Sequence, residues 1–76
     1  MERSFAMNLV EYARREQLSK WNAEHDAEHS RQEWVHLLTV RLGKLIVAVD
    51  DGDGMQTRRR LAELAAVAVA ALEQES

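Results

Sequence analysis

The stretch WVHLLTVRLGKLIVAV, residues 34–49, decides the fold predicted for this chain. It contains no Asp or Glu, and its large apolar side chains recur at steps of three and four residues, the period of an α-helix. Just before it, Ser30 and Glu33 predict a capping box that starts the helix. Arg41 and Lys44 lie three residues apart and therefore share one face of it. The apolar stripe consists of Trp34, Leu38, Leu42, Leu45 and Val49, widened by Val35 and Ile46.

Similar patterns predict two further helices in a single domain, residues 1–76. The first has an apolar line that weakens toward a cationic end, which suits a helix C-terminus. The last contains LAAVAVAAL, which is apolar almost all round and should be buried on more than one side. Three helices cannot easily bury such a segment alone, so we expect a homo-oligomer that packs through the last helix, in the Leu61–Leu72 region, with a core completed by the second and third helices of another subunit. The predicted fold is all-α, an oligomeric helical bundle with principal helices at about 4–20, 31–49 and 56–73.

Two polar segments connect these helices. Residues 21–30 predict a connecting loop with up to a turn of helix. His25 and His29 lie four apart, as in a zinc pair, but Asp26 stands where the zincin pattern requires Glu, so a zinc site is not favoured. Residues 50–54 are rich in Asp and Gly and predict a helix–helix turn. An EF-hand is rejected, because the twelfth residue of such a loop would be Leu61 instead of Glu.

Composition narrows the range of partners. The chain has no cysteine, which excludes a disulfide scaffold, and its net charge of −3 gives no general attraction for long nucleic acids. Its longest apolar run, residues 64–72, is too short to span a bilayer, and the N-terminus lacks a signal-peptide core. We therefore expect a soluble cytoplasmic protein without a membrane or long nucleic-acid partner.

Four segments within residues 14–73 together resemble the small phage-type proteins of the MazG-like, all-α nucleotide pyrophosphohydrolase superfamily. The first is REQ followed by KW at 15–21, and the second is EHD with His29 at 24–29. The third is WVHLL leading into RLGK at 34–44, and the fourth is the Ala/Val-rich LAELAAVAVA at 61–70. Their order and spacing carry the resemblance, which implies an all-α fold and a nucleotide ligand.

The same resemblance exposes a reversal of charge. In that family, a Glu-Glu-x-x-Glu motif on one helix and Glu-x-x-Asp on the next hold magnesium, which polarises phosphates and activates water. Here the first motif falls on Val40, Arg41 and Lys44, and the second on Arg60 and Glu63. Four of the five acids are missing, and three of those positions carry cations. Because Arg and Lys bind phosphate oxygens directly, this implies phosphate binding without a metal cofactor and without hydrolysis.

The sequence therefore predicts a catalytically inactive binding protein that sequesters a phosphate-bearing nucleotide, linear or cyclic. For a phage-type protein, a natural role is that of a sponge for a nucleotide second messenger of host antiviral signalling, in the host cytoplasm. Trp21 would supply a stacking surface for the base, and the other residues would supply charge and hydrogen-bond donors. The predicted ligand-binding residues are Arg41, Lys44, Arg60, Trp21, Lys20 and His25.

Two other functions stay open. One is an active nucleoside triphosphate pyrophosphohydrolase with an unusual acid set, Asp50, Asp51, Asp53 and Glu63. The other is a helical interaction module that binds a host protein, although no exposed apolar patch is identifiable in the sequence to support it.

Each candidate residue also has a purely structural interpretation. Arg41 and Lys44 would then pair with Glu63 or with acids of a partner subunit. Trp21 would pack in the core or an interface, and His25 and His29 would belong to a solvated loop. Arg58 and Arg59 are more typical of a solvated face than of a site, and Trp34 is predicted to be core.

Overall fold

The computed structural model describes residues 1–21 and 23–75, apart from the side chains of Ala23 and Glu24, and this part of the chain is all-helical. The side chain of Glu24, which belongs to the EHD segment of the family resemblance, thus lies outside the described part of the chain. The helices are α1 (Arg3–Lys20), α2 (Ala23–Ala27), α3 (Arg31–Asp50) and α4 (Gly54–Glu73). The all-α class is confirmed, and the three long helices lie within two residues of their predicted ends. The short α2 is the turn of helix allowed for in the connecting loop.

The start of α3 is fixed by the predicted capping box. The Ser30 hydroxyl accepts a hydrogen bond from the backbone N–H of Glu33 at 3.2 Å. The backbone N–H of Ser30 in turn donates to the Glu33 carboxylate at 3.2 Å. Trp34 follows at once and is buried, as predicted for a core residue. The reciprocal bonds satisfy backbone donors that a helix N-terminus otherwise leaves open, and so define where α3 begins.

The predicted helix–helix turn joins α3 to α4. The backbone N–H of Asp53 donates to the Ala48 carbonyl at 3.1 Å, and that of Gly52 to the Val49 carbonyl at 3.0 Å. This pair of bonds is a Schellman motif, which requires a left-handed residue after the helix. Gly52 supplies it with φ of 69°. The Asp53 carboxylate then caps α4 by accepting from the N–H of Gln56 at 3.0 Å.

Helix α4 is the central helix of the protomer. It packs against both α1 and α3, and ion pairs from Arg31 to Glu75 and from Arg41 to Glu63 show that it runs antiparallel to α3. Ala66, the most buried residue, is 0% exposed. The prediction that this helix is buried on more than one side is confirmed, but α1 and α3 of the same chain provide the burial. Oligomerisation stays a prediction.

The surface of the protomer is more apolar than the sequence suggested. Large apolar side chains are exposed on α1, among them Phe5, Met7 and Tyr12, and others lie along α3. The expectation of no identifiable exposed apolar patch is therefore wrong. None of the helices in the described part of the chain has the length and apolar character needed to cross a membrane.

Candidate functional site

The principal candidate site is a cavity of about 250 Å³ between the helices, here named the central cavity. Its apolar lining comes mainly from α3 and α4, through Trp34, Leu37, Val67 and Ala70. Its polar lining comes from α1, α3 and the α2 region. Those residues are Arg14, Gln17, His25, Asp26, His29 and Arg41, with Trp21 beside them.

Four rings follow one another along the central cavity. Trp21 and His25 are stacked, with ring centroids 6.4 Å apart and an interplanar angle of 19°. His25 meets His29 edge-on at 5.0 Å, and His29 meets Trp34 edge-on at 4.9 Å. Trp21 is 43% exposed whereas Trp34 is 6% exposed, so the series of rings leads from solvent into the core. An exposed indole at the outer end offers a flat surface to a ligand.

His29 is oriented by a hydrogen bond as well as by its neighbouring rings. Its Nδ1 lies 3.3 Å from a carboxylate oxygen of Glu33, the same acid that completes the capping box. These bonds from His29 and Ser30 hold the pKa of Glu33 below its ordinary value. Among the described residues there is no group of three or more His, Cys, Asp or Glu that could hold a metal ion.

Arg14 is a largely buried cation that no sequence pattern indicated as a site residue. Its Nη2 lies 2.8 Å from the Asp26 carboxylate and 2.8 Å from that of Glu73, so it ties α1 to α2 and α4. Burial by itself lowers the pKa of Arg14, but the bonds and attraction of the two acids outweigh it and raise the pKa. Nothing in the local sequence distinguishes Arg14 from exposed Arg15, because the partners lie 12 and 59 residues away.

Arg41 and Arg60 meet at one acid. Arg41 Nη1 lies 3.3 Å from Oε2 of Glu63, and Arg60 Nη1 lies 2.9 Å from Oε1 of the same carboxylate. All three side chains are largely buried, with exposed fractions of 17%, 29% and 18% for Arg41, Arg60 and Glu63. The sequence left open whether Arg41 binds a ligand or pairs with Glu63, and in the structure Arg41 does pair with Glu63. Two cations around one anion leave this cluster with a net positive charge.

The six predicted site residues fall into three places. Trp21, His25 and Arg41 all line the central cavity. Lys44 and Arg60 line a separate cleft of about 280 Å³ beside the α3–α4 turn. That cleft also contains the acids Asp51 and Asp53, so its cations face opposite charge. Lys20 lies exposed in the last turn of α1.

Trp34, which lines the central cavity, has a polar atom with an unmet hydrogen bond. Its indole Nε1 is buried and has no hydrogen-bond partner among the described residues. A buried donor without an acceptor is uncommon in folded proteins. The lining of the central cavity combines this buried indole with cations, imidazoles and the exposed indole of Trp21.

Comparisons with protein-family models, with curated proteins and with solved structures gave no match. The resemblance to the MazG-like superfamily accordingly stays a prediction. The side chains around the central cavity are the basis on which a function can be assigned to this chain.

Proposed function

We propose that this chain binds a phosphate-bearing nucleotide at the central cavity and does not hydrolyse it. The observation that supports this most is that Arg41 and Trp21 line the same cavity. A nucleotide presents an anionic group and a planar base, which call for a cation and an aromatic surface respectively. His25, stacked beside Trp21, adds a further polar ring.

The size of the cavity determines how much of such a ligand it encloses. Its volume of about 250 Å³ is below the range of about 300–1,000 Å³ typical of small-molecule sites. It suits one part of a nucleotide, while the remainder extends over exposed Trp21 toward solvent. Lys20, one residue before Trp21, would add positive charge on that outer side.

Arg41 retains capacity for a phosphate although it is paired. A guanidinium has five N–H donors, and Arg41 makes one hydrogen bond to Glu63, at 3.3 Å. Because Arg60 also neutralises Glu63, the cluster keeps one net positive charge. Its remaining donors, in a partly desolvated site, suit an anionic oxygen.

The same cluster supports binding without metal-dependent hydrolysis. Both carboxylate oxygens of Glu63 accept hydrogen bonds from arginines, so a magnesium ion would have to displace two cations to use them. Asp53, from the alternative acid set, caps α4. A protein that binds but does not turn over a nucleotide suits sequestration of a nucleotide messenger in the cytoplasm, the role implied by the phage-type resemblance. A homo-oligomer belongs to the same proposal.

The test is titration calorimetry against linear and cyclic nucleotides with a chelator present. Charge-assisted hydrogen bonds contribute about 1.5–3 kcal/mol each, so Arg41→Glu should weaken binding roughly ten- to a hundredfold or more. Trp21→Ala should weaken binding by a smaller factor. Arg15→Glu is the matched control, because it makes the same change of charge at an exposed residue of α1 and should bind as the native chain does.

Two results would contradict the proposal. One is that the native chain binds none of the nucleotides, or that Arg41→Glu binds as well as Arg15→Glu. The other is magnesium-dependent release of pyrophosphate or monophosphate that a chelator abolishes, which would establish the alternative hydrolase.

A further inference from the structure

Helix α3 carries a ridge of exposed apolar side chains that none of the described residues covers. Val35, Leu42, Ile46 and Val49 are 61%, 46%, 52% and 56% exposed. Their spacing of seven, four and three residues places them on one face of the helix. We name these four residues the α3 ridge. It runs beside the line of Trp34 and Ala48, which are buried against the rest of the protomer.

The apolar positions on this side of α3, the ridge together with Leu38, are symmetric in sequence about Leu42. Val35 and Val49 each lie seven residues from Leu42, and half-buried Leu38 mirrors Ile46 at four residues. A surface of this kind suits a two-fold axis through Leu42, because two antiparallel copies then place Val35 against Val49 and Leu38 against Ile46. Such an interface is isologous, with each contact made twice.

The charges at the two ends of α3 select the same arrangement. Asp50, Asp51 and Asp53 lie at the C-terminal end of α3, whereas Arg31 at its other end is 82% exposed and paired with Glu75. Antiparallel copies keep the two sets of acids at opposite ends of the interface. A parallel pair would bring six acids together, which is unfavourable.

From the ridge, its symmetry and these charges, we infer that α3 binds α3 of a second copy of this chain, antiparallel, across a two-fold axis at Leu42. From Val35 to Val49 the α3 ridge extends over about 21 Å of the helix, at a rise of about 1.5 Å per residue. Exposed Leu72 of neighbouring α4 lines a cleft together with Val35 and Leu38 and extends the apolar surface. The interface specifies the homo-oligomer as a dimer formed through α3, and it does not depend on a nucleotide ligand.

The first test is the mass in solution by sedimentation velocity. The native chain should sediment at twice its 8.7 kDa. Leu42→Asp should weaken self-association by at least about a hundredfold, because two like charges then meet at the axis. Leu18→Asp is the matched control, because Leu18 is 40% exposed on α1, and it should stay dimeric. A monomeric native chain, or dissociation by Leu18→Asp to the same extent as by Leu42→Asp, would overturn the inference.

The second test checks the register and needs no disruptive variant. The chain has no natural cysteine, so Leu42→Cys should form a disulfide dimer on mild oxidation. Val35→Cys alone should not form one, because the two copies of that residue would lie about 20 Å apart along the direction of the α3 helices. That distance is far beyond disulfide reach. A mixture of Val35→Cys and Val49→Cys chains should cross-link as a mixed dimer. Efficient cross-linking of Val35→Cys with itself would instead establish a parallel or unrelated contact and refute this interface. Calorimetry with nucleotides is a separate readout, so a monomeric chain would remove the homo-oligomer from the proposed function but would leave nucleotide binding to be judged by calorimetry alone.

Discussion

The Arg41 guanidinium of α3, which lines the central cavity, lies 3.3 Å from the Glu63 carboxylate of α4, so Glu63 offsets part of the positive charge that Arg41 offers there. Glu63 also holds Arg60 at 2.9 Å, so one acid restrains two of the cations predicted to bind phosphate. An anionic ligand at Arg41 therefore meets repulsion from Glu63 as well as attraction from the arginine. Removing only the charge of Glu63 separates these two effects.

We expect Glu63→Gln to bind nucleotides more tightly than the native chain, by roughly three- to tenfold. The amide keeps much of the shape of the side chain but removes about 1 kcal/mol of repulsion across a partly screened distance. Calorimetry under the conditions used for Arg41→Glu measures the change. Glu11→Gln, at an exposed residue of α1, makes the same change of charge and should leave affinity unaltered. Weaker binding by Glu63→Gln would contradict this and would mean that Glu63 chiefly positions Arg41.

The helices were predictable because their signals are local. Ser30 and Glu33 form their capping box within one turn, and Gly52 satisfies a requirement of the turn itself. The buried side of α3 was less predictable, because the helix is apolar around much of its circumference. The predicted stripe included Leu42 and Val49, which the structure leaves exposed.

The site was predictable only where it depends on spacing within one helix. Arg41 and Lys44 do share a face, but they line different cavities, because Arg41 lies toward α2 and Lys44 toward the α3–α4 turn. Arg14 was missed because its acids reach it only through tertiary packing. Arg41 of α3 and Arg60 of α4 can come together only if the two helices are antiparallel. They are, and both arginines contact the carboxylate of Glu63.

We expect the capping box to make stability dependent on pH in the acid range. Bonds from His29 and Ser30 lower the pKa of Glu33 in the folded chain. Because the pKa of Glu33 is lower in the folded chain than in the unfolded chain, its ionised carboxylate stabilises the fold. This stabilisation is complete above the ordinary glutamate pKa of about 4.3 and is lost as the pH falls through the pKa of the folded chain.

Glu33→Gln tests this, because its amide oxygen can still accept from Ser30 but does not ionise. The difference in thermal stability between the native chain and Glu33→Gln should be largest near neutral pH and should shrink on acidification. Glu11→Gln serves as the control and should show no such change in its difference from the native chain. If the difference in thermal stability between the native chain and Glu33→Gln stayed constant with pH, ionised Glu33 would not be the source of the pH dependence.

We expect the Arg14–Asp26 ion pair to hold α2 against the other helices. The two side chains are 11% and 9% exposed, so removing one partner leaves the other charged and largely shielded from solvent. Arg14→Met should lower the free energy of unfolding by about 3 kcal/mol, since breaking a buried pair costs about 3–5 kcal/mol. Arg15→Met, at the exposed neighbouring position, should change it by less than about 0.5 kcal/mol. Chemical denaturation followed by circular dichroism measures both.

A double-mutant cycle separates the ion pair from the packing of the Arg14 side chain. Asp26→Asn removes the acid, and Arg14→Met combined with Asp26→Asn leaves no buried charge unpaired at this contact. The double variant should therefore be more stable than the sum of the single losses predicts, by at least about 1 kcal/mol. Glu73 is 53% exposed at its side chain and can return to solvent when Arg14 is absent, so it should not mask the coupling. Strictly additive losses would mean that Arg14 stabilises the fold through the apolar part of its side chain, and the ion pair would then contribute nothing measurable.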